Sequence, residues 1–222
     1  GYESPRPVQE EVIPFLLGDD NDVIALAQTG TGKTAAFGLP ILQKIDVTTY
    51  HPQALVLCPT RELCLQIADD LNDYSKYIDN LKVLPVYGGS SIESQIKTLK
   101  RGVHVVVATP GRLLDLMNRK TVDLSLVKNV IMDEADEMLN MGFREDIDVI
   151  LEDLPKERQT LLFSATLSKE IKEITKLYQQ NPEHIVTTHK EITIPSIEQY
   201  YLEVREGSKL ELLCRLIDAK NI

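Results

Sequence analysis

The sequence predicts an α/β domain, a doubly wound, mostly parallel sheet with helices on both faces. Three observations carry this. Seven short runs rich in Val, Ile and Leu recur without in–out alternation, as strands covered on both faces require. Helical stretches separate them, the usual wiring of a parallel sheet. The first run leads directly into "AQTGTGKT" at 27–34, a phosphate-loop pattern between a strand and a helix.

In chain order, strands are expected at 22–26, 54–58, 83–87, 104–108, 129–132, 160–163 and 184–187. Helices are expected over 61–77, 92–100 and 169–180, with another opened by the phosphate loop. The composition shifts near "THKEITIPSIEQ" (188–199), which reads as a linker around Pro195. Tyr200, Leu202 and Val204 then alternate as a strand would. Leu210, Leu213, Cys214 and Ile217 follow at the i, i+3, i+4, i+7 spacing of an amphipathic helix. One strand–helix unit cannot close a core. The expected organisation is therefore one domain over 1–190, a linker at 191–196, and the truncated start of a second domain over 197–222. The apolar face of that start is expected to dock on its own domain or to exchange with a second copy through 197–220.

The chain of 222 residues is 43% hydrophobic and 26% charged, an ordinary globular balance. No apolar run approaches the ~20 residues that span a bilayer, and "GYESPRPVQ" is not a signal peptide. Cys58, Cys64 and Cys214 form no CxxC and read as reduced thiols of a cytoplasmic protein. The four histidines are scattered, which argues for surface or strand-edge positions rather than a zinc site. The net charge of −10 argues against broad, non-specific binding of nucleic acid. A local phosphate-binding face built from helix N-termini and a few arginines is compatible with it.

The phosphate loop comprises Ala27, Thr29, Gly30, Thr31, Gly32, Lys33 and Thr34, with Ala27 where the pattern has a leading Gly. Gly30 and Gly32 let the loop curl so that N–H groups face phosphate oxygens. Lys33 supplies a point charge for the β- and γ-phosphates of ATP, and Thr34 offers a hydroxyl to Mg²⁺. About a hundred residues later "VIMDEAD" runs an apolar strand into acids. Asp133 there would hold Mg²⁺ through water, since that ion keeps its hydration shell. Glu134 would orient or deprotonate the attacking water. Further strand ends carry Pro59-Thr60-Arg61, Gly88-Gly89 and Thr109-Pro110-Gly111-Arg112. In the last of these a capping position is followed by Pro at the first helical position, leaving N–H groups and the Arg112 fork for a phosphate. Ordinary capping and tight turns need the same residues.

Asp133-Glu134-Ala135-Asp136 spells the motif of the DEAD-box RNA helicases, and the chain resembles the first RecA-like domain of that family. "GYESPRPVQ", "PTREL", "GG", "TPGR" and "SAT" stand in family order around it. The tail "IEQYYLEVREGSKLELLCRLID" is similar to the start of the second domain in bacterial, cold-shock-type members. The resemblance implies that Gln9 reads adenine, that the 59–61, 88–89 and 109–112 segments hold RNA backbone without sequence preference, and that Ser164 and Thr166 couple hydrolysis to RNA through Asp136. Plain helix capping is the other reading of "SAT", with Ser168 available to cap the next helix. The family's upstream adenine-stacking aromatic and the second domain's arginines are not among these residues. An ATP-dependent, RNA-stimulated helicase is implied, in which ATP and RNA close two RecA-like domains and separate a short duplex. An ATP-gated RNA clamp that recruits partners is the alternative, and an unrelated P-loop transport ATPase ranks last because it would not need the RNA motifs.

Overall fold

The computed structural model describes residues 4–187 and 200–220. The chain divides into two compact units, Gly1–Thr188 and His189–Ile222. The expected linker at 191–196 lies outside the described residues.

All seven expected strands form, each within two residues of the expected ends. They are β1 (Val23–Leu26), β2 (Ala54–Leu57), β3 (Val83–Val86), β4 (Val105–Ala108), β5 (Asn129–Met132), β6 (Gln159–Ser164) and β7 (Glu183–Val186). They pair in the order β3-β4-β2-β5-β6-β1-β7, every pair parallel. The interior strands β2, β4, β5 and β6 are buried at every position. Exposure concentrates at the sheet edges, where β3 alternates and β7 buries only Ile185. Pro85 sits in edge strand β3, where a missing N–H costs least.

The helices of the first unit are α1 (Pro7–Gly18), α2 (Lys33–Lys44), α3 (Arg61–Tyr74), α4 (Ile92–Lys100), α5 (Pro110–Asn118), α6 (Ala135–Asn140), α7 (Arg144–Asp153) and α8 (Lys169–Tyr178). Helices α3 and α8 stop three and two residues short of the expected ends. Because successive strand side chains point to opposite faces, the sheet feeds two cores. Val56, Ile131 and Phe163 pack with Val12 of α1, Phe37 of α2 and Ile67 of α3. Leu55, Leu57, Val130 and Met132 pack with Leu113 of α5, Ile147 of α7 and Ile171 of α8. Burying each such side chain is worth roughly 1.5–3 kcal/mol.

His104 departs from the expected surface or strand-edge position and is fully buried just before central strand β4. Its Nδ1 accepts from the Lys82 N–H at 3.0 Å, and Nε2 meets the Val47 carbonyl at 3.2 Å. Both ring nitrogens are satisfied, so burial costs little. His184, on edge strand β7, is exposed as expected. Cys58 and Cys64 are free and buried, and Cys214 is free and exposed.

In the second unit the expected helix forms as α9 (Lys209–Lys220), after a short 3₁₀ turn at Glu206–Ser208. The expected strand does not form, since residues 200–205 have no regular structure. A strand is stabilised by its ladder and cross-strand partners, and among the described residues no strand is paired with this segment. Leu210, Leu213 and Ile217 remain 73%, 53% and 42% exposed.

Candidate functional site

The strand order decides what can meet at the C-terminal edge of the sheet, where open α/β sheets bind ligands. Strands β1, β6 and β5 are neighbours, so the phosphate loop, "SAT" and the Asp133–Asp136 turn lie side by side. Strands β2, β4 and β3 continue the edge with Thr60, Thr109 and Gly88-Gly89 at their ends. Segments dispersed over 27–166 thus become two adjacent groups.

In the first group, Gly30 and Gly32 adopt the left-handed conformation that glycine allows, with φ of 74° and 90°. A Cβ on Gly32 would lie 2.5 Å from the Gln9 amide nitrogen. Gln9 is buried; it donates to the Gly32 carbonyl at 3.1 Å and accepts from the Arg6 N–H at 3.0 Å. Arg6 in turn donates to the Gly30 carbonyl. The N-terminal segment therefore braces the loop from outside. Arg6 was not predicted as a site residue, although its motif was. Thr31 folds back onto the Gln28 carbonyl at 2.8 Å, Thr29 is exposed and Ala27 is buried.

A cavity of about 340 Å³ opens here, lined by Gly30, Lys33, Thr34, Asp70, Asp133 and Glu134 among others. Lys33 Nζ lies 3.2 Å from Asp133 Oδ1, with both side chains buried. The same oxygen accepts the Glu134 N–H at 3.0 Å. Burial pushes the Asp133 carboxyl up from its ordinary value, and Lys33 pulls it back. Burial also raises Glu134, helped by the charge of Asp133 and opposed by Lys33. Glu134 is a non-glycine residue in the left-handed region, with φ 52° and ψ 48°, at the N-terminus of α6. Such strain collects where geometry is functional. A hydroxyl and a carboxylate on one cavity suit a hard, oxygen-seeking cation, so Thr34 and Asp133 fit Mg²⁺.

"SAT" joins this group to the acids. The Thr166 N–H and hydroxyl both reach Asp136 Oδ2, at 3.1 and 3.0 Å. Ser164 Oγ donates to the Thr166 carbonyl at 2.7 Å. Ser168 caps α8, accepting from the Ile171 N–H.

In the second group, Thr60 caps α3 through its hydroxyl, accepting from Leu63 N–H at 3.2 Å. Thr109 holds the capping position of α5, but its hydroxyl makes no capping bond. Pro59 and Pro110 are buried and shape their loops, while Gly111 is exposed. Arg61 is exposed, 4.9 Å above the Tyr87 ring and beside Gly89. Arg112 differs from the expected free fork. It is half-buried, and both terminal nitrogens donate to the Ser90 carbonyl at 3.2 Å. One also donates to Gln95 Oε1 at 3.0 Å. Buried Gln95 donates to the Tyr87 carbonyl and Ser90 Oγ, at 3.2 and 2.7 Å. Gln95 ties "GG" to "TPGR". No local pattern signals this, because the partners come from α4, α5 and the loop after β3.

A strand, a phosphate-loop pattern and a second strand ending in acids, with the "SAT" strand between them, define a domain of the P-loop NTPase, RecA-like fold. The DEAD/DEAH box helicase profile matches residues 6–174, and the chain belongs to that family. It is 51% identical over 218 residues to the DEAD-box ATP-dependent RNA helicase CshA of Geobacillus kaustophilus, covering 98% of this chain and 46% of that protein. It is 49% identical over 221 residues to the protein of the same name in Bacillus subtilis, covering all of this chain and 44% of that one. The crystal structure of a DEAD box protein from the hyperthermophile Methanococcus jannaschii is similar at a TM-score of 0.82 and 44% identity, over 98% of this chain and 58% of that one. The chain spans less than half the length of the curated relatives named here.

Proposed function

We propose that this chain is the nucleotide-binding half of an ATP-dependent RNA helicase that separates short duplexes locally. The observation that carries the reading is the seating of β6 between β1 and β5, with two Thr166 bonds to Asp136. Through it, a shift at the phosphate loop can move the acids beside it. The names of the relatives support the RNA substrate.

Gly30, Thr31, Gly32 and Lys33 cradle the ATP phosphates, and Gln9 faces the adenine with the donor it has left. Mg²⁺ held by Thr34 and, through water, by Asp133 would neutralise phosphate charge. Lys33 favours the ionised form of Asp133 against the burial that opposes it. Glu134, its basicity raised by burial, orients and deprotonates the attacking water. Arg61, the N–H groups after Thr109, and Gly88-Gly89 hold RNA phosphates and sugars, which positions without reading sequence. Arg112 and Gln95 lock the loops that do so. The apolar face of α9 belongs to the start of a second RecA-like domain, or it exchanges with a second copy. No described helix is long and apolar enough to cross a membrane. The free thiols of Cys58, Cys64 and Cys214 support a cytoplasmic setting.

The test is Glu134→Gln in the full-length parent. The amide is nearly isosteric but cannot accept a proton. ATP and RNA affinities are expected to persist while phosphate release falls by about 10²–10⁴, the usual weight of a general base. Normal turnover would remove Glu134 from the role.

A further inference from the structure

We propose that Tyr87 is a positioning residue for the RNA face. Its ring holds the Arg61 guanidinium beside Gly89, so that one charged fork and one glycine turn meet the same RNA phosphate. The inference rests on the RNA face proposed above. Tyr87 ends the 83–87 run, which the sequence marks only as a strand, and lies outside every candidate site segment read there. It nevertheless stands under Arg61, whose guanidinium carbon is 4.9 Å from the ring centroid.

Both ends of Tyr87 are fixed. The residue is half-buried and packs against the core that holds Cys64 and Ile67 of α3. Its carbonyl accepts from Gln95 Nε2 at 3.2 Å and from Ser90 Oγ at 3.3 Å. Arg61 opens α3 itself, so platform and arm belong to elements already packed together. Gly89 follows in the left-handed region, with φ 81°. A Cβ there would lie 3.5 Å from Arg61 Nη1. The backbone of one segment and the charge of the other are thus side by side.

Among the described residues Arg61 has no hydrogen-bond or ion-pair partner, so its five N–H donors remain for a ligand. An arginine loses much side-chain freedom when it grips that ligand. A neighbouring carboxylate would order it in advance but cancel its charge. An aromatic face orders it and leaves the charge and the donors for a phosphate. This matters in a chain of net charge −10, where few cations serve the edge.

The test is the affinity of the full-length parent for single-stranded RNA, read by fluorescence anisotropy over a range of salt, with Mg-ADP affinity as the check on folding. Tyr87→Leu keeps an apolar side chain against the core and removes the ring face. It is expected to weaken RNA binding about two- to fivefold, the scale of an exposed cation–π contact, at unchanged Mg-ADP affinity. Tyr87→Phe, which keeps the ring, should recover most of the loss. The deciding arm is a double-mutant cycle. In an Arg61→Ala background, Tyr87→Leu should cost nothing further. An equal loss in both backgrounds would mean that Tyr87 supports the face by packing alone and would overturn the proposal. So would no loss in the parent, a parallel loss of Mg-ADP affinity, or a Phe variant as weak as the Leu one. Arg61→Ala separates this from the underlying reading. It should weaken RNA roughly tenfold and flatten the salt slope by about 0.7, the weight of one phosphate contact on a single strand. If affinity and slope both stay at the parent's values, the RNA face itself is wrong. If they fall and Tyr87→Leu is silent, only the Tyr87 inference is lost.

Discussion

Asp133 is an acid with 3% of its surface exposed. It is tolerated because Lys33 lies 3.2 Å away and the Glu134 N–H shares the same oxygen. Each partner keeps the other from being an uncompensated buried charge, a state that costs about 3–5 kcal/mol. Lys33→Ala is thus expected to lower the melting temperature and to abolish measurable heat of Mg-ADP binding. Unchanged affinity in a folded variant would contradict the phosphate role. His104 gives a second expectation, about pH. Burial pushes its folded pKa below the ordinary value of 6.5. The unfolded chain therefore binds the proton first, and stability is lost as pH falls from about 6.5 to the folded pKa. Chemical denaturation at pH 7.5 and 5.5 should show the parent losing more stability on acidification than His104→Gln. Equal losses would show that His104 takes up its proton equally well in both states.

The elements were legible because local chemistry dictates them. Runs such as Val105–Ala108 are too apolar and β-branched for anything but a covered strand, and Ser168 signals the start of α8. The 200–205 segment shows the limit of such reading. Its alternation is real, but pairing comes from another strand, not from the pattern itself. The site residues were legible as types, not as partners. Gln95–Arg112 and Gln9–Gly32 join elements whose adjacency depends on strand order and helix packing. No window of sequence contains that order. Gln95→Leu tests the most connected of these. It removes the bonds to the Tyr87 carbonyl, Ser90 Oγ and Arg112, so that Arg112 keeps only the Ser90 carbonyl and the Tyr87 carbonyl keeps only Ser90 Oγ, at about 0.5–1.5 kcal/mol for each hydrogen bond lost. In the full-length parent, RNA affinity measured by fluorescence anisotropy should drop about tenfold or more while Mg-ADP affinity stays constant. A parallel loss of both would place Gln95 in the general fold and not in the RNA face.

At the scale of the whole molecule, the net charge of −10 is compatible with the proposed RNA face because that face is local. It would occupy the strand ends of β3, β4 and β2 and would use backbone N–H groups with few cations. The neighbouring ends of β5, β6 and β1 carry the acids and the phosphate loop. What this edge lacks, among the described residues, is a free arginine aimed at the γ-phosphate. Arg6 is engaged by Gly30, Arg112 by Ser90 and Gln95, and Arg61 lies over Tyr87. In related phosphoryl transfers such an arginine contributes about 10³–10⁵ in rate, or roughly 4–7 kcal/mol of barrier. In the mechanism proposed here this unit binds ATP and prepares the water, while a second RecA-like domain completes the charge that drives hydrolysis. The direct measurement is steady-state phosphate release, with and without single-stranded RNA, for this chain alone and for its full-length parent. The parent should be stimulated by RNA, and the chain alone should release phosphate at least about a thousandfold more slowly and ignore RNA. Turnover by the chain alone at the parent's RNA-stimulated rate would contradict the account.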